Sequence, residues 1–405
     1  MAVNLVAKTP EQLIPIDGVQ IYLAQAGIKK PNHNDLTLMV FNADCQVGAV
    51  FTQNQFCAAP VHIAKKHLYD ADGVRALIIN TGNANAGTGS QGREHAMLMC
   101  AAAAAQVGCK PSQVLPFSTG VILEPLPIDQ IQAALPKMKP SDWANAAHAI
   151  MTTDTVAKSA SKSGLIGNNH FVHATGIAKG AGMICPNMAT MLGFIATDAK
   201  VSQPILQRLT EEVADASFNN ITVDGDTSTN DSFVIVATGR CQQNEIDNIA
   251  DPRYAQLRDL LTEVALELAQ AIVRDGEGAS KFITIQVNQA ASRDDARNIA
   301  YAIAHSPLVK TAFSASDPNL GRILAAIGYA KAQLNIDKVD VYLGDVLVAQ
   351  NGTRAASYTE EQGQRVMNEA EITVRVNLNS GSENATVYTC DLTKEYVAIN
   401  ADYRS

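Results

Sequence analysis

A short apolar run, Val74 to Ile79, leads into a loop rich in Gly, Asn and Thr from Thr81 to Gly92, and the loop into an Ala-rich stretch from Arg93 to Val107. The first run reads as a strand and the last as a helix, with the loop as punctuation between them. The first third of the chain repeats this alternation, which places it in the α/β class. The stretch from Leu123 to Pro140 carries Pro125, Pro127, Pro136 and Pro140 and reads as a connector, because prolines at that density interrupt any continuous element. Beyond it, Gln203 to Phe218 sets Ile205, Leu209, Val213 and Ala216 on one helical face, and Ala255 to Val273 does the same with Leu257, Leu260, Leu261, Val264 and Leu268. Both read as helices packed on a sheet.

The final third has a different pattern. Lys281 to Val287 alternates as a half-buried strand does, Asp317-Pro318 reads as N-cap and N1 of a helix over Asn319 to Tyr329, and Val339 to Val348, Glu371 to Val376 and Ala385 to Cys390 read as strands. A domain boundary is expected near Gly276, giving a main domain over 1–275 and a C-terminal domain over 276–405. No internal repeat is visible.

Composition narrows the function. Of the 405 residues, 47% are hydrophobic and 18% charged, enough apolar material for a large core. The net charge of −9, with no Lys/Arg run, argues against nucleic acid as a partner. The N-terminal segment has no basic stretch followed by an apolar one, and no later segment is long and apolar enough to cross a bilayer, so a soluble, cytoplasmic protein with no membrane partner is expected. Seven scattered cysteines, never in a C-x-x-C pair, point to neither a disulfide framework nor a zinc site; most are expected to be small buried hydrophobes.

Three motifs invite readings that their surroundings weaken. Gly87, Gly89 and Gly92 spell G-x-G-x-x-G between a strand and a helix, the context of a dinucleotide-binding turn. That fold also needs an acid about 20 residues on, and Val107 to Ser118 contains none. Asp224, Asp226 and Asp231 lack the spacing and closing glutamate of a calcium loop, which leaves a turn with Asx hydrogen bonds. No H-E-x-x-H occurs, and His170 and His173 on a strand would face opposite sides, so no metal is expected.

The segment Thr175 to Ile195, TGIAKGAGMICPNMATMLGFI, is the most informative. Gly176, Gly180 and Gly182 allow backbone to approach a reacting group, and Thr190 puts a hydroxyl into an apolar context where it must find a partner. From the residues alone, the favoured reading of Thr190 is a strand residue with a satisfied hydroxyl. The run Lys179 to Ile184 followed by Pro186 to Leu192 resembles the signature of the ornithine acetyltransferases of arginine biosynthesis. Further matches occur in the family's order at Asn80 to Gly87, Ser118 to Ile122, Met151 to Lys158, Asn219 to Asp231, Asp275 to Lys281 and Asn400 to Ser405.

The resemblance implies a fold: an N-terminal-nucleophile-like four-layer α-β-β-α sandwich with a smaller C-terminal α/β domain. It also implies self-cleavage between Ala189 and Thr190, giving an α chain over 1–189 and a β chain from 190, assembled as an α2β2 heterotetramer. A threonine hydroxyl is a weak nucleophile without an adjacent base, and a freed α-amine with a reference pKa of about 7.7 to 8.0 supplies one from the same residue. Thr119 and Gly120 match the family's oxyanion hole, although a Ser-Thr-Gly step by itself reads as a turn. Leu123 stands where the family's TGVIG pattern has glycine. Thr153, Lys179, Thr190, Glu277, Asn400 and Ser405 match its substrate-binding positions, with Lys179 and Thr153 at the backbone end of the substrate and Glu277 at the amino end.

The implied reaction moves an acetyl group from N2-acetylornithine to glutamate through acetyl-Thr190, with no metal or dissociable cofactor. Some members of the family also take acetyl-CoA as donor, and the motifs are compatible with either behaviour. Three alternatives remain: an N-terminal-nucleophile aminopeptidase or amidase that passes the acyl group to water, a dinucleotide-dependent oxidoreductase built on Gly87, Gly89 and Gly92, and a non-catalytic binding protein.

Overall fold

Strands buried on both faces need cover on both sides. β4 (Ala76–Asn83), β9 (Leu192–Thr197) and β10 (Ser232–Ala237) are of this kind, almost wholly buried, with β9 and β10 mostly apolar and β4 apolar in its first half. A computed structural model of the chain describes residues 2–69, 73–167, 170–185 and 191–402. The chain forms two compact units, one of Val6–Asn219 and Thr227–Ile272, the other of Met1–Leu5, Asn220–Asp226 and Val273–Ser405.

In the larger unit the double cover comes from two stacked five-stranded sheets. The first joins β1 (Val19–Ala24), β2 (Leu36–Phe41), β4, β5 (Val114–Val121) and β6 (Lys139–Ser141) in the order β5-β4-β2-β1-β6. The second joins β3 (Gln46–Phe51), β7 (Lys158–Ile166), β8 (His170–Lys179), β9 and β10 in the order β3-β10-β9-β8-β7. Only β4/β5 and β9/β10 pair in parallel. Each parallel pair is bridged by a helix, as a parallel crossover requires: α2 (Gly89–Val107) and α5 (Gln203–Ala216).

Met39, Ile79 and Phe117 of the first sheet share one core with Ala49, Ile177, Phe194 and Val234 of the second. Phe117 meets Phe194 edge-on, with ring centroids 5.1 Å apart, a favoured aromatic geometry. Outside the first sheet, the alanines of α2 let that helix lie close, so Ala96, Met99, Cys100 and Ala103 pack with Leu38, Ile78 and Val114. Outside the second lie α5, against β3, and α6 (Pro252–Arg274), whose Leu260 and Leu268 rest over Gly164 and Gly176. The layers therefore run α-β-β-α, as the resemblance implied. α1 (Ala59–Tyr69), α3 (Ile128–Ala134) and α4 (Trp143–Ala149) complete the unit.

The smaller unit is a mixed sheet of β11 (Phe282–Ala290), β12 (Asp340–Leu343), β13 (Val346–Gln350), β14 (Thr353–Arg354), β15 (Glu371–Asn377) and β16 (Glu383–Cys390), ordered β14-β13-β12-β15-β11-β16. Its core is closed by α7 (Arg293–His305), α8 (Pro307–Ser314), α9 (Leu320–Tyr329) and α10 (Glu360–Met367). The last helix, α11 (Lys394–Ala401), buries no residue.

Several sequence expectations need correction. The proline-rich connector holds α3 and the edge strand β6, because Pro127 occupies a cap, where its missing N–H costs nothing, and Pro140 sits on an edge. The strand expected over Val339 to Val348 is a hairpin, bent at Gly344 (φ +57°). The cap of α9 is Asn319, which accepts from Arg322 N at 3.2 Å, rather than Asp317. Of the seven cysteines, Cys45, Cys100 and Cys390 are buried and the other four half-buried, so burial is not the rule for most of them.

Candidate active site

The C-terminal end of β5 carries Ser118, Thr119 and Gly120. Its parallel register with β4 slips at Gly82/Asn83, so that Asn83 faces both Thr119 and Val121. Such a bulge redirects the backbone, and here it pinches Gly120 against β4. Gly120 has φ +133°, and a Cβ on it would stand 2.2 Å from Gly82 C and 2.5 Å from Asn83 N. No side chain fits there, and the Ser-Thr-Gly step is the irregular end of a strand, not a turn.

The loop that follows β4 supports this bulge with buried amides. Ser118 Oγ donates to Asn80 Oδ1 at 2.6 Å, Asn80 Nδ2 donates to Asn83 O at 2.9 Å, and Asn83 Nδ2 reaches Glu124 O and Pro125 O at 3.2 and 3.1 Å. Asn85 Nδ2 donates to Gly92 O at 2.9 Å, and Thr88 Oγ1 to Asn85 Oδ1 at 2.8 Å. Thr88 Oγ1 and Gly92 O of the G-x-G-x-x-G segment are thus both engaged by Asn85. Leu123, where glycine was expected, keeps the glycine conformation (φ +72°) with its side chain 64% exposed.

Lys179, at the end of β8, donates from Nζ to Thr119 Oγ1 at 3.2 Å. An ammonium only donates, so the Thr119 oxygen accepts and its own proton is left to point elsewhere. Beside it, Gly180 (φ +145°) donates its N–H to Asp154 Oδ1 at 2.7 Å, and Lys158 Nζ meets the same oxygen at 2.6 Å with both side chains fully buried. Burial works against charge on Asp154, but Lys158, Lys179 and the Gly180 N–H outweigh it and hold the carboxyl well below its usual range. Thr153 lies half-buried in the same loop.

Ala189 and Thr190 lie outside the described residues, as does Ser405. The described residues on either side of 186–190 are both held by one segment, Thr227 to Ser232. Thr227 Oγ1 donates to Cys185 O at 3.1 Å, and Ser232 N donates to Met191 O at 2.8 Å. Between them, Asn230 Nδ2 donates to Ser118 O at 2.9 Å and to Ala84 O at 2.6 Å, which ties the segment to the end of β5. Asp231 is 2% exposed, and its Oδ2 has no hydrogen-bond partner among the described residues. Burial pushes its carboxyl well above the ordinary value, against the opposing bonds from Ser228 and the charge of Lys179.

In the smaller unit, Glu277 is buried and its Oε2 accepts from Asn400 Nδ2 at 2.7 Å. Of the residues expected from sequence, the structure therefore brings Lys179 onto Thr119 beside Gly120 in one unit, and Asn400 onto Glu277 in the other. Asn80, Asp154, Lys158 and Asn230 were missed as individuals, although each lies inside a matched motif, and Asp231 was read only as part of a turn. A buried acid and base at i, i+4, Asp154 and Lys158, was the available signal.

Among the described residues no group of three or more His, Cys, Asp or Glu could hold a metal, and no helix is long and apolar enough to cross a membrane. His173 is paired with Asp198 at 2.8 Å. The aspartate loop makes the expected Asx contact, Asp226 N to Asp224 Oδ1 at 3.3 Å.

The sequence is 72% identical over 406 residues to the arginine biosynthesis bifunctional protein ArgJ of Neisseria meningitidis serogroup A, and 71% identical to that of Neisseria gonorrhoeae, with 100% of both chains covered in each case. Residues 20–405 match the ArgJ family. The chain belongs to the ArgJ family. It is accordingly an acetyl-transferring enzyme of arginine biosynthesis. A solved structure of the ArgJ protein from Bacillus halodurans is 38% identical, with a TM-score of 0.51, covering 53% of this chain and 100% of that one.

Two measurements test the site's construction. Leu123→Gly relieves a left-handed residue costing about 1–2 kcal/mol at a lesser entropic cost, so Tm should rise by about one to three degrees; an unchanged or lower Tm contradicts the strain. For Asp231, both folded and unfolded chains are protonated below about pH 3.8, whereas above it the unfolded chain ionises and the folded one resists, so stability is lost as pH rises. Asp231→Asn removes that loss. Its Tm relative to the parent should therefore climb between about pH 4 and about pH 7, and a difference independent of pH refutes the raised carboxyl.

Proposed function

We propose that Thr190, released as a new N-terminus by cleavage after Ala189, carries an acetyl group from N2-acetylornithine to glutamate. The observation that carries this reading is the Lys179–Thr119–Gly120 arrangement. It leaves the Thr119 hydroxyl proton as a donor at the irregular end of β5, and the segment that holds Ser118 there also holds Met191, the residue after Thr190.

In the first half-reaction the Thr190 hydroxyl attacks the acetyl carbonyl while its own α-amine takes the proton. The tetrahedral oxyanion receives hydrogen bonds from Thr119 Oγ1 and Gly120 N. Collapse breaks the amide C–N bond, and the ammonium returns its proton to the departing amine of ornithine. In the second, the amine of glutamate attacks the acetyl ester and Thr190 leaves with the proton. Lys179 and Thr153 hold the substrate carboxylate, and Glu277, with Asn400 and Ser405, holds the ammonium of the ornithine side chain.

The same reading makes the enzyme cofactor-free and cytoplasmic, with acetyl-CoA as an additional donor in keeping with its bifunctional relatives, and with α and β chains assembled as α2β2. A hydrolase sharing this nucleophile differs in one respect, since it passes the acetyl group to water.

Thr190→Ala should run as one uncut chain on a denaturing gel and lose at least about a thousandfold in transfer rate. The parent enzyme, given N2-acetylornithine, should release acetate only slowly without glutamate. Rapid acetate release regardless of glutamate would establish the hydrolase, and a fully active, uncut Thr190→Ala chain would end the proposal.

A further inference from the structure

α11 is an eight-residue helix that buries none of its side chains and leaves Val397 65% exposed. A helix that short is unstable alone, and without an apolar face its placement depends on polar contacts. Three are present within the smaller unit. Thr393 Oγ1, at the N-cap, donates to Gly278 O at 2.7 Å; Tyr396 OH donates to Asp224 Oδ2 at 3.2 Å; and Asn400 Nδ2 donates to Glu277 Oε2 at 2.7 Å.

Tyr396 and Asn400 stand at i and i+4 and therefore share a face of the helix. The amide of Asn400 also bonds back to Tyr396 O at 3.0 Å, so the two residues move together. Thr393 fixes where the helix begins, but a single attachment at one end leaves rotation about the helix axis open. The Tyr396–Asp224 bond, together with the Asn400–Glu277 bond on the same face, closes it. Burial first, and then the charge of Asp224, push the Tyr396 hydroxyl up, so it stays a donor at neutral pH. Asp224 is itself oriented by Asp226 N on Oδ1, leaving Oδ2 for the tyrosine.

We propose that Tyr396 and Asp224 are positioning residues for substrate selection: their hydrogen bond fixes the rotation of α11, which sets Asn400 on Glu277 and holds that carboxylate in one orientation for the substrate's ammonium. This deepens the proposed function and rests on its assignment of Glu277. Loss of the Tyr396–Asp224 bond weakens recognition of a cationic substrate and leaves the chemical step intact.

The test is a double-mutant cycle read by steady-state kinetics with N2-acetylornithine at saturating glutamate, with Tm measured alongside. Tyr396→Phe should raise KM roughly three- to tenfold, the scale of one hydrogen bond, and leave kcat within about twofold. Glu277→Gln should raise KM by more, and adding Tyr396→Phe to it should change KM little further, because the tyrosine acts through the glutamate. Asp224→Asn, which keeps an acceptor oxygen, should preserve KM, whereas Asp224→Ala should reproduce Tyr396→Phe. An unchanged KM in Tyr396→Phe, a lowered Tm without a KM effect, or full additivity with Glu277→Gln overturns the proposal. A normal KM in Glu277→Gln instead overturns the substrate role of Glu277, and the proposal with it.

Discussion

The site depends on a short piece of backbone that carries no proposed catalytic group. Thr227 to Ser232 binds Cys185 on one side and Met191 on the other, so the two described ends around the segment that contains Thr190 are both referenced to it. Through Asn230 the same residues grip Ser118 O, one residue before Thr119. Thr52 and Ala58 pin the segment further: Thr52 N donates to Asp231 O and Ala58 N to Thr229 O, both at 2.9 Å. Geometry at a reacting centre has to be held to fractions of an ångström, and side chains already locked by packing and hydrogen bonds hold it better than a solvated loop.

The second constraint is electrostatic. Asp154 and Lys158 are fully buried and paired, and removing either would leave an uncompensated charge, a loss of about 3–5 kcal/mol. The pair adds a position to the charge balance: Asp154 takes the N–H of Gly180, the residue directly after Lys179. Lys179 is therefore anchored through its neighbour's backbone while its ammonium reaches Thr119. Asp231 presents the opposite case, a buried acid without enough compensation to remain ionised easily. The two acids show how burial and neighbouring charge, rather than residue type, decide what a carboxyl does.

The helices were legible because their cause is local and periodic: Gln203 to Phe218 and Ala255 to Val273 announced α5 and α6 by their apolar faces, whereas the four-layer stacking came from the resemblance. Val339 to Val348 was misread because one glycine inside an apolar run does not say whether the chain bends. The prolines between Leu123 and Pro140 hid α3, since a proline at a helix boundary and one inside a loop look alike in sequence. Thr119 and Gly120 were found through resemblance alone, because the slip against β4 that makes Gly120 necessary is a pairing between distant segments. Asn230 was missed, and Asp231 read only as part of a turn, for the same reason. Their roles come from contacts with Ser118, Ala84 and Thr52, none of them near in sequence.

The central claim is that residue 190 becomes a chain terminus and carries the acetyl group itself. Intact-protein mass spectrometry of the purified enzyme reads both parts together. The account predicts two masses, the second for a fragment beginning at Thr190, which gains one acetyl group on exposure to N2-acetylornithine and loses it when glutamate is added. A single full-length mass from enzyme that turns over normally, or a fragment that never gains acetyl while transfer proceeds, would contradict it.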